Sequence, residues 1–469
     1  MSKLASTLSK KDRETRDFIL GGDMWHVVLA LSLPLAMYNG LNHLFSFLDT
    51  MMAAHIGSSV VSAIAYLAQI KTMITSVGAG LALGGGIIIA RYYGADDMKN
   101  TQKYVNTLLF LAIAISLLLL LFILPFTKPI LIFVNTPEEL ITVGNSYFIV
   151  EILMLTTIFI NNVYMAIEKA KGNSKLILRL NLMVLALKLI LTALFVYVFN
   201  LGIVMMAVAT LLAHLSLTLV GLSNMLRAEQ MFRISIRKID LSKKTLWPIL
   251  TLALPIFFEK FTFSLGKVIV NSMSTLYGSM VVGALGISNN VAGIPTSLSN
   301  GFQDGEAAII SQNLGNNNLD RALDSFKKTV AATFVIGLLG MLFIYVFMEP
   351  IVHMFVRGEL AFFDTTLPIL KYEIYALIPL TTTSAVMGLL YGFGYTKLSL
   401  VINFLRLFLF RIPSLYLLQN YTHLGSKGVG IAMMVSNGLM GITALIIAFI
   451  VIRKMKLKEG NPYKNYILS

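Results

Sequence analysis

The sequence predicts an all-α integral membrane protein, with twelve transmembrane helices in two pseudo-symmetric six-helix bundles. Three observations carry this reading. Of 469 residues, 57% are hydrophobic and only 13% charged, with mean hydropathy +0.78. That balance suits a chain whose outer surface faces hydrocarbon. Twelve apolar runs, each about long enough to cross a bilayer, follow one another along the chain. The two halves also repeat each other at a nearly constant offset.

The runs fall near residues 25–52, 60–88, 104–125, 145–167, 176–199 and 203–226, then 248–274, 281–305, 329–348, 368–391, 398–418 and 428–452. The first 23 residues are polar and basic, and the stretch after them is too long for a signal-peptide core. The expected organisation is a cytoplasmic N-terminal segment (1–24), an N-lobe (25–226), a cytoplasmic linker (227–247), a C-lobe (248–452) and a cytoplasmic tail (453–469). With the N-terminus inside, 27 Lys and Arg residues fall in cytoplasmic segments; outer segments hold only Lys128, Arg357, Lys371 and Lys427. This asymmetry predicts that both termini are cytoplasmic. The net charge of +14 therefore belongs to inner loops near anionic lipid, and nucleic acid is not needed as a partner. The linker is basic and lacks glycine, which predicts a short amphipathic surface helix.

The repeat pairs Pro34 with Pro255, Gly57 with Gly278, Gly80 with Gly301, Gly84 with Gly305 and Gly94 with Gly315, all at an offset of 221. Farther on, KGNSKLILRLN (171–181) answers FGYTKLSLVIN (393–403) at 222. Six spans per half is an even number, so both halves sit the same way up. The repeat is parallel, with its axis along the membrane normal. Two six-helix bundles facing a central cleft form a transporter architecture. The glycine-rich stretch 78–86 lies inside a span and is expected to allow close helix packing.

Polar residues in the spans mark candidate sites. Asn39, Asn42, Ser46 and Asp49 cover about 80° of the first helix and so form one stripe. An intramembrane carboxylate costs several kcal/mol unless paired, protonated or wetted, and such groups are usually functional. Asp49 can exchange a proton or, ionised, ligate sodium with neighbouring oxygens. Either event changes the charge facing the cleft and biases a two-state bundle. On the seventh helix Lys260 and Lys267 occupy the repeat positions of Asn39 and Ser46, and Asn271 continues the stripe. Lys188 and Arg411 also lie near mid-span. These cations suggest a substrate with an anionic or zwitterionic group. Six basic residues (Lys71, Lys188, Lys260, Lys267, Arg406, Arg411) and six acidic ones (Asp49, Glu151, Glu259, Asp304, Glu306, Glu373) lie within spans, and equal numbers suit buried pairs. Asp304 and Glu306, near the inner end of their span, are expected to be wet.

A family resemblance rests on Pro34, Asp49-Thr50 and Ile56-Gly57, and on the turns Gly94-Ala95-Asp96, Thr136-Pro137-Glu138-Glu139 and Lys171-Gly172-Asn173. Asn313-Leu314-Gly315-Asn316 and Gly392-Phe393-Gly394 match in the second half. Together they resemble the multidrug and toxic compound extrusion family. The resemblance covers essentially the whole chain. It implies two lobes in a V that extrude drugs and organic cations in exchange for protons or sodium. It also implies a coupling-cation role for Asp49. Phe257-Phe258-Glu259 fits the pattern of the sodium-coupled branch, which adds Glu259 as a second coupling candidate. Thr192 stands where the proton-coupled branch has an aspartate, with Lys188 one turn earlier, and residues 381–392 lack the acid of the sodium-coupled branch. The motif set is mixed.

The expectation is a monomeric secondary transporter in the cell membrane that moves small molecules, with no cofactor beyond the coupling H+ or Na+. An exporter or flippase of a lipid-linked or anionic substrate is the alternative. Enzyme chemistry has little support: the six histidines are scattered, no Walker loop is present, and the chain has no cysteine. The two-lobe repeat argues against an oligomeric pore, and RYYGADDMKN (91–100) lacks the Asp-Arg-x-Gly-Arg loop of the major facilitator superfamily.

Overall fold

A computed structural model describes residues 9–56, 58–133, 138–227, 232–356 and 360–457. Gly57, Thr136, Pro137, Arg357 and the tail beyond Leu457 lie outside the described residues, as does part of the linker.

Twelve helical units follow one another as the apolar runs require. In the first half they are Met24–Ile56, Ser58–Gly94, Met98–Ile123, the pair Glu138–Leu153 and Leu155–Lys171, Ser174–Ala193, and Ile203–Leu226. In the second half they are Lys243–Ser274, Ser279–Gly315, Leu319–Val346, the pair Leu360–Tyr375 and Leu377–Phe393, Thr396–Tyr421, and Lys427–Leu457. Nine described helices are long and apolar enough to cross a bilayer, and the bent fourth and tenth spans raise this to eleven. The eighth, with 37 residues, has ample length. Its composition is too polar, because Asn289, Asn290, Asn300, Gln303, Asp304 and Glu306 lie on it. A span that polar must face protein or water.

The repeat is visible in the backbone. Asp96 and Asn317, equivalent at the offset of 221, both adopt positive φ (60° and 57°). The next residues, Asp97 and Asn318, both cap the following helix by accepting from the backbone N–H three residues on. Gly172 (φ 87°) and Gly394 (φ 83°) close the fourth and tenth spans in the left-handed conformation that glycine enters without penalty.

The lobes meet through the first, second, seventh and eighth spans, and the paired glycines make the approach possible. A Cβ on Gly80 would lie 2.8 Å from the Ala253 carbonyl oxygen; on its repeat mate Gly301 it would lie 2.1 Å from the Ala36 nitrogen. Gly84 and Gly305 press likewise on Ala253 and Ser32, while Gly94 and Gly315 press on Gln312 and Arg91. Close helix packing, expected for stretch 78–86, is what its glycines provide: Gly80 and Gly84 press on the other lobe, while Gly78, Gly85 and Gly86 press on Phe159, Leu108 and Ala166 within the N-lobe. At the same end, Arg91 Nη2 donates to the Gly392 carbonyl (2.8 Å) and Gln312 Nε2 to that of Ala170 (2.7 Å).

A polar N-terminal helix, Lys10–Gly21, straps this end. Arg321 of the C-lobe donates to the carbonyls of Ile19 (3.1 Å) and Gly22 (2.8 Å). Tyr93 of the N-lobe donates to the Asp12 carbonyl (3.0 Å), and Arg16 pairs with Asp96 (3.3 Å).

The linker differs from expectation. Before Lys243, where the seventh helix already begins, its only described helical piece is the single turn Ile236–Lys238. Among the described residues no separate amphipathic helix forms, and the segment is instead tied to the N-lobe. Asn106 accepts from Ser235 N (2.6 Å), Thr107 Oγ1 accepts from Asp240 N (3.0 Å), and Phe232 is buried beside Tyr93.

Candidate functional site: a cleft between two unlike lobes

Between the lobes lies a cavity of about 850 Å³, large enough for a drug-sized molecule. Its wall includes Asn39, Asn42, Ser46, Glu259 and Lys260 among the residues singled out from sequence. Asp49, Lys188, Lys267, Asn271 and Arg411 stand outside this lining. Lys71, His214, Tyr391, Asn403 and Arg406 belong to it. Pro34 and Pro255 sit inside the first and seventh helices, where each removes a backbone donor and loosens the helix just before the residues that face the cleft.

In the N-lobe the charges are paired. Lys188 of the fifth span holds Asp49 of the first, and Lys71 of the second span holds Glu151 of the fourth. His214, on the sixth span, feels Lys71, Lys188 and Glu151 electrostatically. Its backbone carbonyl accepts from Asn161 Nδ2 (2.9 Å). Thr192, one turn beyond Lys188, is fully buried. The pairing expected from equal numbers of acids and bases is realised in this half.

In the C-lobe it is not. Glu259 is 7% exposed and is held by neutral donors: Tyr391 Oη (2.8 Å), Ser399 Oγ (2.6 Å) and Asn403 Nδ2 (3.0 Å). Glu373 accepts from the Ser288 hydroxyl. Among the described residues, Lys260, Lys267, Arg406 and Arg411 make no ion pair. Instead Arg406 Nε and Arg411 Nη2 both donate to Asn437 Oδ1 (3.1 and 2.6 Å), and Arg411 Nε donates to Ser436 Oγ (3.0 Å). The guanidinium of Arg406 lies 5.4 Å from the centre of the Phe263 ring and the Lys267 ammonium 5.1 Å from it.

Local backbone geometry explains the arginine cluster. Residues Leu405–Arg411 form a π-helical stretch. Its i→i+5 hydrogen bonding stacks residues five apart, so Arg406 and Arg411 share a face. In an α-helix they would point about 140° apart. Composition and spacing give no signal for such a stretch, which is why Arg406 was not among the sequence-derived cavity residues. The donors to Glu259 come from the tenth and eleventh spans and carry no motif of their own.

Asp304 and Glu306 correct a sequence expectation. Asp304 forms an ion pair with Lys169 of the N-lobe (2.5 Å), joining the lobes. Glu306 is 0% exposed, packed where the tenth span approaches closely at Gly388. Neither acid is simply wet, because the eighth span runs between two packed neighbours.

The comparisons with known proteins follow this architecture. The MatE family model matches residues 34–194 and again 255–417, each match opening at one of the two repeated prolines. The chain belongs to the MatE family. It is 24% identical to a probable multidrug resistance protein, YpnP, of Bacillus subtilis over 419 residues, covering 88% of this chain and 92% of that protein. It is 20% identical to the multidrug export protein MepA of Staphylococcus aureus over 428 residues, covering 91% and 94%. Among solved structures, a MATE in complex with MaL6 superposes with a TM-score of 0.90 at 20% identity, over 95% of this chain and 100% of that one. A MOP-superfamily transporter from Pyrococcus furiosus, described as having a binding pocket of reverse polarity, matches at 0.89 and 20% identity, over 96% and 99%. The MatE chain described here is thus a multi-pass membrane protein with the two-lobe fold of that family.

Proposed function

We propose that this protein is a secondary active exporter that exchanges protons or sodium for small amphiphilic compounds by alternating access. The single observation that carries the reading is the cavity of about 850 Å³ shared by the two lobes, with a carboxylate site embedded in each lobe. The named relatives, a multidrug export protein among them, support it. In this reading the protein acts as a monomer in the cell membrane, with both termini cytoplasmic.

The chemistry around each acid favours a different ion. At Asp49 the Lys188 ammonium already sits on the carboxylate. Sodium there would place two cations on one acid, whereas a proton on Asp49 releases the lysine, so a proton suits the N-lobe. At Glu259 two hydroxyls and an amide converge on the carboxylate, and Lys260 acts on it electrostatically without forming an ion pair. Oxygen-rich surroundings of that kind suit sodium. Alternating access then requires the strapped end of the bundle, with its glycine contacts and Lys169–Asp304 pair, to open as the other end closes.

A second reading, export of a lipid-linked or anionic substrate, is favoured by the unpaired cations of the C-lobe. The test is dye efflux from proteoliposomes under a pH gradient and, separately, a sodium gradient, for wild type, Asp49→Asn and Glu259→Gln. Driven transport that either variant loses supports the exporter. Transport that ignores both gradients in wild type defeats it.

A further inference from the structure

We infer that the C-lobe wall of the cleft recognises the anionic head of an amphiphilic substrate, seated between Lys260 and Arg406. This rests on the exporter reading and narrows its substrate class. The charged side chains on the cavity wall are Lys71, Lys260, Arg406, Glu259 and Asp304. Two of these are neutralised from outside the cavity, Lys71 by Glu151 and Asp304 by Lys169. Glu259 has its oxygens occupied by three neutral donors. Lys260, which acts on Glu259 electrostatically, and Arg406 therefore present positive charge to the cleft, and neither forms an ion pair among the described residues.

The layer behind them adds to that charge. Arg411 lies behind Arg406 on the π-helical stretch, and Lys267 stands over Phe263, whose ring also lies against Arg406. Glu373 is within electrostatic reach of Arg411, Arg406 and Lys267, yet its hydrogen bond is from Ser288. Four cations thus face two acids in this part of the C-lobe. His43 and His214 also line the cleft, His43 being bound to the Asn290 carbonyl (2.9 Å).

Of these four cations Arg411 is buried, while Lys260 and Arg406 are partly exposed to the cleft; charge held inside a span without a counter-ion is costly. The chain spends Asn437 and Phe263 on holding the guanidinium of Arg406 in place, and neither group neutralises it. A ligand carboxylate, phosphate or sulfonate would supply the missing charge, and a fixed guanidinium is suited to grip it with paired hydrogen bonds. Phe263, Leu380, Met387 and Met440 on the same wall provide adaptable apolar surface for the rest of the molecule.

The experiment is fluorescence binding of a matched pair of dyes to the purified full-length protein in neutral detergent. Dansylglycine carries an anionic head and dansylcadaverine a cationic one on the same fluorophore. Wild type is expected to bind dansylglycine about tenfold more tightly, and Lys260→Gln with Arg406→Gln is expected to abolish that preference without weakening dansylcadaverine. Arg406→Lys keeps the charge, and should retain part of the preference. Equal or tighter binding of the cation by wild type overturns the inference, as does equal loss of both dyes in a variant whose Tm matches wild type. Competition with phosphatidylglycerol separates the sources: displacement of dansylglycine assigns a lipid headgroup, and no displacement assigns a free solute. If the anion preference holds but no gradient drives transport, the exporter reading fails and the recognition site stands. If transport runs but the cation is preferred, the reverse follows.

Discussion

Lys188 on the fifth span neutralises Asp49 on the first, so the carboxylate that a sequence reader would assign to an ion already has a cation of the protein's own. The two groups are each about one-quarter exposed or less, which keeps water near enough to deliver a proton. Removing one partner leaves the other charge uncompensated. Asp49→Asn is expected to lower Tm and to abolish proton-driven efflux. Asp49→Asn with Lys188→Gln should regain most of the Tm and none of the coupling, because the double change removes both charges together. A double variant as unstable as the single one would show that the pair is not what holds the two spans.

Glu259 behaves differently because its partners are neutral. Glu259→Gln keeps the shape and one acceptor, and the hydroxyls of Tyr391 and Ser399 can rotate to accept from the new amide. The expected result is a loss of stability of about 1 kcal/mol with loss of any sodium dependence. Efflux under sodium and pH gradients, beside thermal unfolding, reads both parts.

The glycine seam between lobes makes a sharper prediction. A methyl group on Gly94 or Gly315 would fall about 2 Å from the backbone of the opposite lobe, at Gln312 and Arg91 respectively. Backbone cannot yield as a side chain can, so Gly94→Ala and Gly315→Ala should force that end apart. The chain has no native cysteine, so a single cysteine at Gln303 in the cavity reports accessibility cleanly. Its labelling from the strapped end of the bundle is expected to rise in both alanine variants, with transport reduced at least several-fold. By contrast, Gly21→Ala meets open space and should leave labelling unchanged.

At the strapped end, Arg321 ties the N-terminal helix to the C-lobe through two carbonyls, while Tyr93 and Arg16 tie it to the N-lobe. Arg321→Ala should speed amide exchange across residues 10–22 without unfolding the spans. Exchange rates identical to wild type would mean that the Tyr93 and Arg16 contacts and the packing at Ile19 hold the helix without Arg321.

The linker has its own pH signature. Hydrogen bonds from the Thr245 hydroxyl and the Ser242 backbone N–H hold the Asp240 carboxyl down at about 2. Its contribution to linker order is present above its ordinary value of 3.8 and is lost as pH falls through about 2. Asp240→Asn should therefore show at pH 7 the faster tryptic cleavage at Arg233, Arg237 and Lys238 that a loosened linker allows. In wild type, peptic cleavage of the same segment should rise as pH drops from 4 to 2.

Much of this architecture was legible before any coordinate. Hydropathy marks spans because each residue reports its own preference for hydrocarbon, whatever its neighbours do. The paired glycines, prolines and turn residues were legible too, since a repeated local backbone demands repeated residues: Asp96 and Asn317 are visible as a pair in both sequence and dihedral space. The polar stripe Asn39, Asn42 and Ser46 follows from helical periodicity, and all three line the cavity.

What the tertiary structure decided was the partner of each charge. Twelve in-span charges in equal numbers permit many pairings, and composition cannot rank them. The fold brings Lys188 to Asp49 and Lys71 to Glu151, yet leaves Lys267, Arg406 and Arg411 to neutral groups and Lys260 without an ion pair among the described residues. The cause is geometric. Bends of 44° and 49° in the fourth and tenth spans and the π-helical stretch at Leu405–Arg411 turn side chains away from where a regular helix would aim them. Contact across a membrane bundle depends on such departures by a few ångströms, and they arise from packing between distant segments, which no local stretch of sequence encodes.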